Sequence, residues 1–433
     1  MEETFLHRIH GVTTRGHGPA ILPSLVASCL GMFWGLLGSS HDAIAAGPEP
    51  GHAAAVRSIN AFGIDLHRAL VAGGARSNLL ASPFSIVGSL AMTHAGADGQ
   101  TLAELSRVLH LPGPQRAAQE SFRHLGMVMR SAAPTNGPAS LRVARRLFGS
   151  RAASFEKGFL NLMVMVHRSP LERLDFSRPV LASQRINDWV ASETMGRIQN
   201  LVPASAISSD TRLVLVNALH FKAPWRQPFA PGSARPEPFH LAPGSRIDVP
   251  TLSRRARCGL RQHPGFKAVA IPYEGDRFQF VMLVPDAIDG LGHVEAALTP
   301  ELVASLASLP EVGVEVHLPR LRIEPPAIRL APALRAMGLK TAFNDPPGSA
   351  NFRRMVPPAA PSPWISDVFH KAFLQLDESG TEAAAATATL MVATSAPAPG
   401  ATAPVIRADR PFLFLVTERE SGGVLFLGRV VRP

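Results

Sequence analysis

Asp377-Glu-Ser-Gly-Thr-Glu-Ala-Ala-Ala-Ala-Thr-Ala-Thr-Leu-Met-Val-Ala-Thr-Ser395 is the stretch on which the reading of this chain turns. After Glu382 it carries no charge, no proline and no glycine. Period-two alternation places Thr381, Ala383, Ala385, Thr387, Thr389, Met391 and Ala393 on one face, which is small, uncharged and suited to burial as a strand. Pro397, Pro399, Gly400 and Pro404 follow and deny backbone donors to a regular ladder, so the segment stands where a loop belongs. An exposed strand-former is an aggregation hazard, and a chain that keeps one has a use for it. By composition alone an Ala/Thr-rich linker is the simpler account, and the flanks must decide.

The pattern Glu378-x-Gly380-Thr381-Glu382-Ala383-Ala384 resembles the hinge of the reactive-centre loop in inhibitory serpins. Further blocks resemble the same family in order along the chain. They are Asn78-Leu-Leu-Ala-Ser82-Pro83-Phe84-Ser85-Ile86, Ile186-Asn187-Asp-Trp189-Val190, Leu215-Val216-Asn217-Ala-Leu-His-Phe221-Lys222-Ala-Pro-Trp225 and Pro272-Tyr273-Glu-Gly275-Asp276. Asp409-Arg410-Pro411-Phe412-Leu413-Phe414 and Leu425-Phe426-Leu427-Gly428-Arg429-Val430 are similar to the family's C-terminal strand pair. The resemblance covers residues 58–433 and implies one α+β domain of serpin fold, with three β-sheets, eight or nine helices and an exposed reactive-centre loop over about 378–410.

Outside that span, a long apolar run covers residues 19–38, preceded by Arg8, His10 and Arg15 and followed by Ala43-Ile44-Ala45, a small-x-small cleavage site. Residues 1–45 read as a secretory signal and 46–57 as a flexible mature N-terminus, which predicts a secreted or periplasmic protein. Two alternatives stay open: an uncleaved run long enough to span a bilayer, and a lipoprotein box at Val26-Ala27-Ser28-Cys29. With the leader removed, Cys258 is the single thiol, so no internal disulfide forms and packing must supply stability. Cys258 reads as a small surface or semi-buried residue.

The net charge of +10 rises to +11 on removal of residues 1–45, which hold two arginines and three acidic residues. Such basicity favours weak, nonspecific association with polyanions. The cations at Arg123, His124 and Arg130 form no dense helical stripe, and alternation along Val143-Ala144-Arg145-Arg146-Leu147 sends Arg145 and Arg146 to different faces. A solvated basic surface, with no specific nucleic-acid site, is the expectation.

The resemblance also implies a mechanism. A serine protease forms an acyl-enzyme that water resolves only while its catalytic groups stay aligned, and a displacement of about 1 Å costs roughly a hundredfold in rate. Serpins exploit this by inserting the cleaved loop as a new strand in the large sheet; insertion of about 14 residues at roughly 3.3 Å each would carry the enzyme some 46 Å. In this chain the hinge is Glu378, Gly380, Thr381, Glu382, Ala383, Ala384, Ala385 and Ala386, with Gly380 as pivot and Thr381 leading. The four alanines have little side-chain entropy to lose. Ser82, Ser85, Asn217 and His370 match the family's shutter, and Trp225 and Arg320 its breach, with an Arg320–Glu378 ion pair expected at the hinge. The family's usual spacing from Glu378 puts the cut bond at Thr394–Ser395, with Leu390, Met391 and Ala393 as alternatives because the stretch to Arg410 is longer than usual. No Arg or Lys lies between Glu382 and Arg407, which points to elastase-like or subtilisin-like targets. The expected partner is a serine protease held in a covalent acyl complex by a monomeric inhibitor.

Other classes fit less well. The chain has no Gly-x-Ser-x-Gly elbow, no His-Glu-x-x-His helix and no phosphate-binding glycine loop, so neither enzyme activity, cofactor nor metal is expected. A non-inhibitory serpin-fold binding protein or chaperone is the alternative.

Overall fold

The computed structural model describes residues 51–111, 113–132, 139–381 and 403–433. The leader, residues 46–50, the hinge residues from Glu382 to Ala386 and the Thr394–Ser395 bond lie outside this set.

Nine α-helices occur among the described residues: α1 (Ala53–Ala72), α2 (Pro83–Gly96), α3 (Gly99–Val108), α4 (Gln115–Ala132), α5 (Lys157–Met165), α6 (Pro179–Glu193), α7 (Leu291–Ala297), α8 (Pro300–Ser305) and α9 (Ala331–Ala336). The strands are β1 (Leu79–Ala81), β2 (Ser140–Ser150), β3 (Glu172–Leu174), β4 (Leu213–Pro224), β5 (Arg235–Ala242), β6 (Ser245–His263), β7 (Phe266–Pro272), β8 (Phe278–Pro285), β9 (Glu311–Pro319), β10 (Leu321–Ile323), β11 (Ile328–Arg329), β12 (Ile365–Leu376), β13 (Gly380–Thr381), β14 (Val405–Arg407), β15 (Phe412–Glu418) and β16 (Val424–Val430).

The described strands form two hydrogen-bonded sheets, one of nine strands that turns through the long β6 and one of seven. The first half of β6 pairs with β5 and, from Thr251 to Gly259, with β9, which carries β14 on its other side. Its last residues pair with β7, leading through β8, β15 and β16 to β1. The seven-stranded sheet runs β10-β12-β13-β4-β2-β3, with β11 on β12. Leu-Val-Leu-Val-Asn-Ala-Leu in β4 is buried on both faces, as a near-continuous apolar run requires, with Asn217 its one polar member.

Helix α2 lies between β4 and β2 on one side and β16 on the other. Its sequence is apolar around most of its circumference and nearly every residue is buried, which suits a helix enclosed by two sheets. Ser82 caps it by accepting the Ser85 N–H at 3.1 Å, and Pro83 follows at the first helical position. The outer face of the β2/β4/β12 sheet is covered by α6, where Trp189 meets Phe148 edge-on at 5.6 Å beside Val214, Val216 and Phe369. Helices α7 and α8 cover the opposite sheet through Val294, Leu298, Val303 and Leu306. Full burial contributes roughly 1.5–3 kcal/mol for each such side chain. Among the described residues no helix is long and apolar enough to cross a membrane.

Candidate functional site

The hinge begins where β12 ends. The Asp377 carboxylate accepts the N–H groups of Ser379 at 2.8 Å and Gly380 at 3.3 Å, while the Asp377 N–H donates to the Gly380 carbonyl at 3.0 Å. These bonds reverse the chain in four residues. Gly380 has φ +154°, and a Cβ there would stand 2.2 Å from the Ala223 carbonyl oxygen, so both backbone and space demand glycine. Thr381 then faces Leu376 of β12 on one side and Ala223 of β4 on the other.

Lower in the same sheet β12 and β4 pair directly in parallel, from Ile365 opposite Leu213 to Phe373 opposite His220. The sheet is therefore closed below and parted above, and Gly380 and Thr381 occupy the opening as the first two residues of an intervening strand. Sequence reading made Gly380 the pivot and Thr381 the leading residue of an insertion; the structure seats both inside the sheet, with Thr381 buried.

Trp225 and Tyr273 hold this seat. The Trp225 indole N–H donates to the Asp377 carbonyl at 3.0 Å, and its backbone N–H donates to the Ser379 carbonyl at 2.9 Å. Its ring stacks on Tyr273 at 4.6 Å, and the Tyr273 hydroxyl lies 2.5 Å from Thr381 Oγ1. Burial pushes the Tyr273 hydroxyl well above the ordinary phenol range, and the Thr381 bond offsets part of that, so it stays protonated. The Phe229 N–H donates to the Glu378 carbonyl at 2.9 Å. The Glu378 carboxylate takes Arg320 Nε at 3.0 Å and a second guanidinium N–H. Burial pushes Glu378 up, but the Arg320 bonds, together with its own N–H and that of Gly232, outweigh it and hold the carboxyl below the usual range.

Of the four residues matched to the shutter, Ser82, Asn217 and His370 are joined by hydrogen bonds at the start of α2, and Ser85 follows Ser82 in its first turn. Arg145 of β2, Asn217 of β4 and His370 of β12 stand in register as cross-strand partners. His370 Nε2 accepts the Ser82 N–H at 3.1 Å, and its Nδ1 bonds the Asn217 side-chain oxygen. An imidazole that accepts at Nε2 is neutral and donates from Nδ1, and burial accordingly pulls His370 down to about 3. Ser85 Oγ and Asn217 Nδ2 are buried without a hydrogen-bond partner among the described residues. A buried orphan costs about 1–3 kcal/mol, so this layer holds polar groups whose pairing is incomplete.

Sequence reading assigned no role to Tyr273 or Asp377. Tyr273 is the only tyrosine in the chain, a signal that composition offered without a partner to attach to it. Cys258 differs from expectation. It is fully buried, and burial raises its thiol to about 11, which makes it an inert core residue. Among the described residues no group of His, Cys, Asp and Glu is arranged to hold a metal.

A fold with a partly opened parallel strand pair, a glycine-led strand in the gap and a polar layer beneath it defines a serpin. The family model "Serpin (serine protease inhibitor)" matches residues 57–433, and the chain belongs to the serpin family. An uncharacterised serpin-like protein of Thermococcus kodakarensis is 35% identical over 87% of this chain and 85% of its own length. Antithrombin-III of Mus musculus is 34% identical over 82% of this chain and 76% of its own. Among solved structures, human thyroxine-binding globulin complexed with its hormone superposes with a TM-score of 0.77 at 26% identity, covering 88% of this chain and 99% of that one. The family thus includes protease inhibitors and a hormone-binding protein, and its protease-directed members are inhibitors rather than catalysts.

Proposed function

We propose that this serpin is a secreted suicide-substrate inhibitor of serine proteases that traps the acyl-enzyme by drawing its cleaved loop into the sheet between β12 and β4. The observation that carries this reading is the seat of Gly380 and Thr381: the sheet already admits the first two residues of the strand that insertion would complete. Extending that strand brings in Glu382 and the alanines after it, which are small enough to enter a closed sheet. The proposed bond is Thr394–Ser395, and the apolar residues before it suit elastase-like or subtilisin-like enzymes. The apolar run at 19–38 and the site ending at Ala45 support export and leader removal. The charge of +10 supports weak, salt-sensitive contact with polyanions by a monomeric chain.

Mixing the mature protein with pancreatic elastase or subtilisin tests the reading. An SDS-stable covalent complex is expected, with mass spectrometry placing the acyl bond at Thr394. Loop cleavage without complex at every enzyme tried would assign the chain to the non-inhibitory, ligand-binding branch. N-terminal sequencing of the exported product is expected to begin at residue 46.

A further inference from the structure

Between α1, α2, α4, β2 and the turn after α5 lies a cavity that leaves about 10 Å³ for the centre of a water-sized guest. Its walls are apolar, from Ile59, Phe84, Phe122, Leu125 and Val166, except where Arg145 and His167 enter. The Arg145 guanidinium lies against the α2 backbone, where a Cβ on Gly88 would stand 2.1 Å from its terminal nitrogen, so a glycine makes room for it. Its side chain meets no acceptor and no carboxylate among the described residues.

The surrounding charges do not compensate it. Arg130 of α4 acts on Arg145, Arg168 on Arg130, and Arg145 on His167, each opposing the other's positive charge. Burial, then Arg130, pulls Arg145 down to about 10, so the guanidinium stays charged at neutral pH. Burial, then Arg145 and His94, pulls His167 down to about 3, and its Nε2 bonds Gln119 Oε1 at 2.8 Å. Arg145 as a whole is half-buried, but its guanidinium is largely withdrawn from water, and a desolvated cation without a counter-charge is unfavourable, so this arrangement calls for an anion.

We propose that the cavity binds a single halide ion, chloride in its natural setting, held by the Arg145 guanidinium between α2, α4 and β2. The size of the space selects a monatomic guest over sulfate or phosphate, and the apolar walls favour a weakly hydrated one. Water fits the volume but leaves the charge unopposed. Arg145 is the cross-strand partner of Asn217, which bonds His370, so the ion sits at the end of the polar row that ties β2, β4 and β12 beneath α2. Its binding stabilises the closed arrangement of these strands.

The test uses the intact protein, and neither readout involves a protease, so it stands apart from the inhibitory reading. Replacing sodium gluconate by sodium chloride or bromide at constant ionic strength is expected to raise Tm saturably by about 2–4 °C. Crystals grown in bromide are expected to show anomalous density within hydrogen-bonding distance of the Arg145 guanidinium. The Arg145→Met variant is expected to melt at one temperature in all three salts. Equal melting of the parent protein in the three salts, water at the site in bromide crystals, or undiminished halide dependence in Arg145→Met would overturn the assignment. Should that variant fail to fold, the bromide density of the parent protein decides.

Discussion

The Tyr273 hydroxyl stands 2.5 Å from Thr381 Oγ1, joining the chain's only tyrosine to the first residue after the hinge glycine. Tyr273→Phe removes this bond and leaves the ring stack on Trp225 in place, so the loss is confined to the seat and is worth about 1 kcal/mol. Hydrogen exchange of the Trp225 and Asp377 amides, which donate into the hinge turn, should quicken by roughly five- to tenfold, with little change elsewhere. Unchanged exchange at these two amides would show that Tyr273 does not hold the seat.

Gly380→Ala should expel the hinge outright. Its Cβ would collide with the Ala223 carbonyl and the Pro224 backbone, neither of which is the far end of a flexible side chain. Limited proteolysis near residues 377–381 should rise while the global melting temperature falls by only a few degrees. A variant as resistant as the parent would mean that the turn can reshape around a side chain.

Glu378→Gln should weaken the hinge by about 1 kcal/mol at neutral pH, since the pair is only partly buried. The folded-state carboxyl is held below its unfolded value, so its contribution is present above the unfolded value near pH 4.3 and fades as pH falls through the lower folded one. The parent and the variant should therefore converge in acid, as read by denaturant titrations at pH 7 and pH 3.

Four histidines are held neutral mainly by burial: His94 and His220 pulled to about 4, His167 and His370 to about 3. Each takes up a proton on unfolding below about pH 6.5, so stability falls as pH drops from there toward the folded values, by about 1.4 kcal/mol per pH unit per histidine. His370→Gln should lower the slope of unfolding free energy against pH, between about 6 and 4.5, by one such increment.

Thr381→Arg places a long cation where the side chain is buried beside Tyr273. A guanidinium there would have to be buried between Leu376, Ala223 and Tyr273, so strand extension should fail. The variant should be cleaved by elastase without forming the covalent complex, at a stoichiometry many times that of the parent.

The parts of the fold legible in the sequence were those written in local pattern. The largely apolar run of β4, the Ser82-Pro83 helix start and the Gly380-Thr381 pair each declare a local conformation, and their order along the chain resembles one family. Cys258 shows the limit. With no spaced partner to give it a role it was read as a surface or half-buried residue, yet strand alternation turns Arg255 and Arg257 outward and Ala256 and Cys258 into the core. Tyr273 was illegible for a different reason: its partner lies 108 positions away, and only the register of β13 brings the two hydroxyls together. The convergence of Arg145, Asn217 and His370 likewise depends on the pairing of three strands distant in sequence.

The two residues of β13 have a protective side as well. Where β12 and β4 part, each would otherwise present unpaired backbone donors and acceptors, a template for any extended peptide. Gly380 and Thr381 satisfy the mouth of that gap from within the same molecule. They act as a stopper: a neighbouring copy offering its own loop must first dislodge a tethered dipeptide that is never more than a few residues away. An incoming strand would thus meet the same two residues that, in the proposed mechanism, begin the chain's own rearrangement.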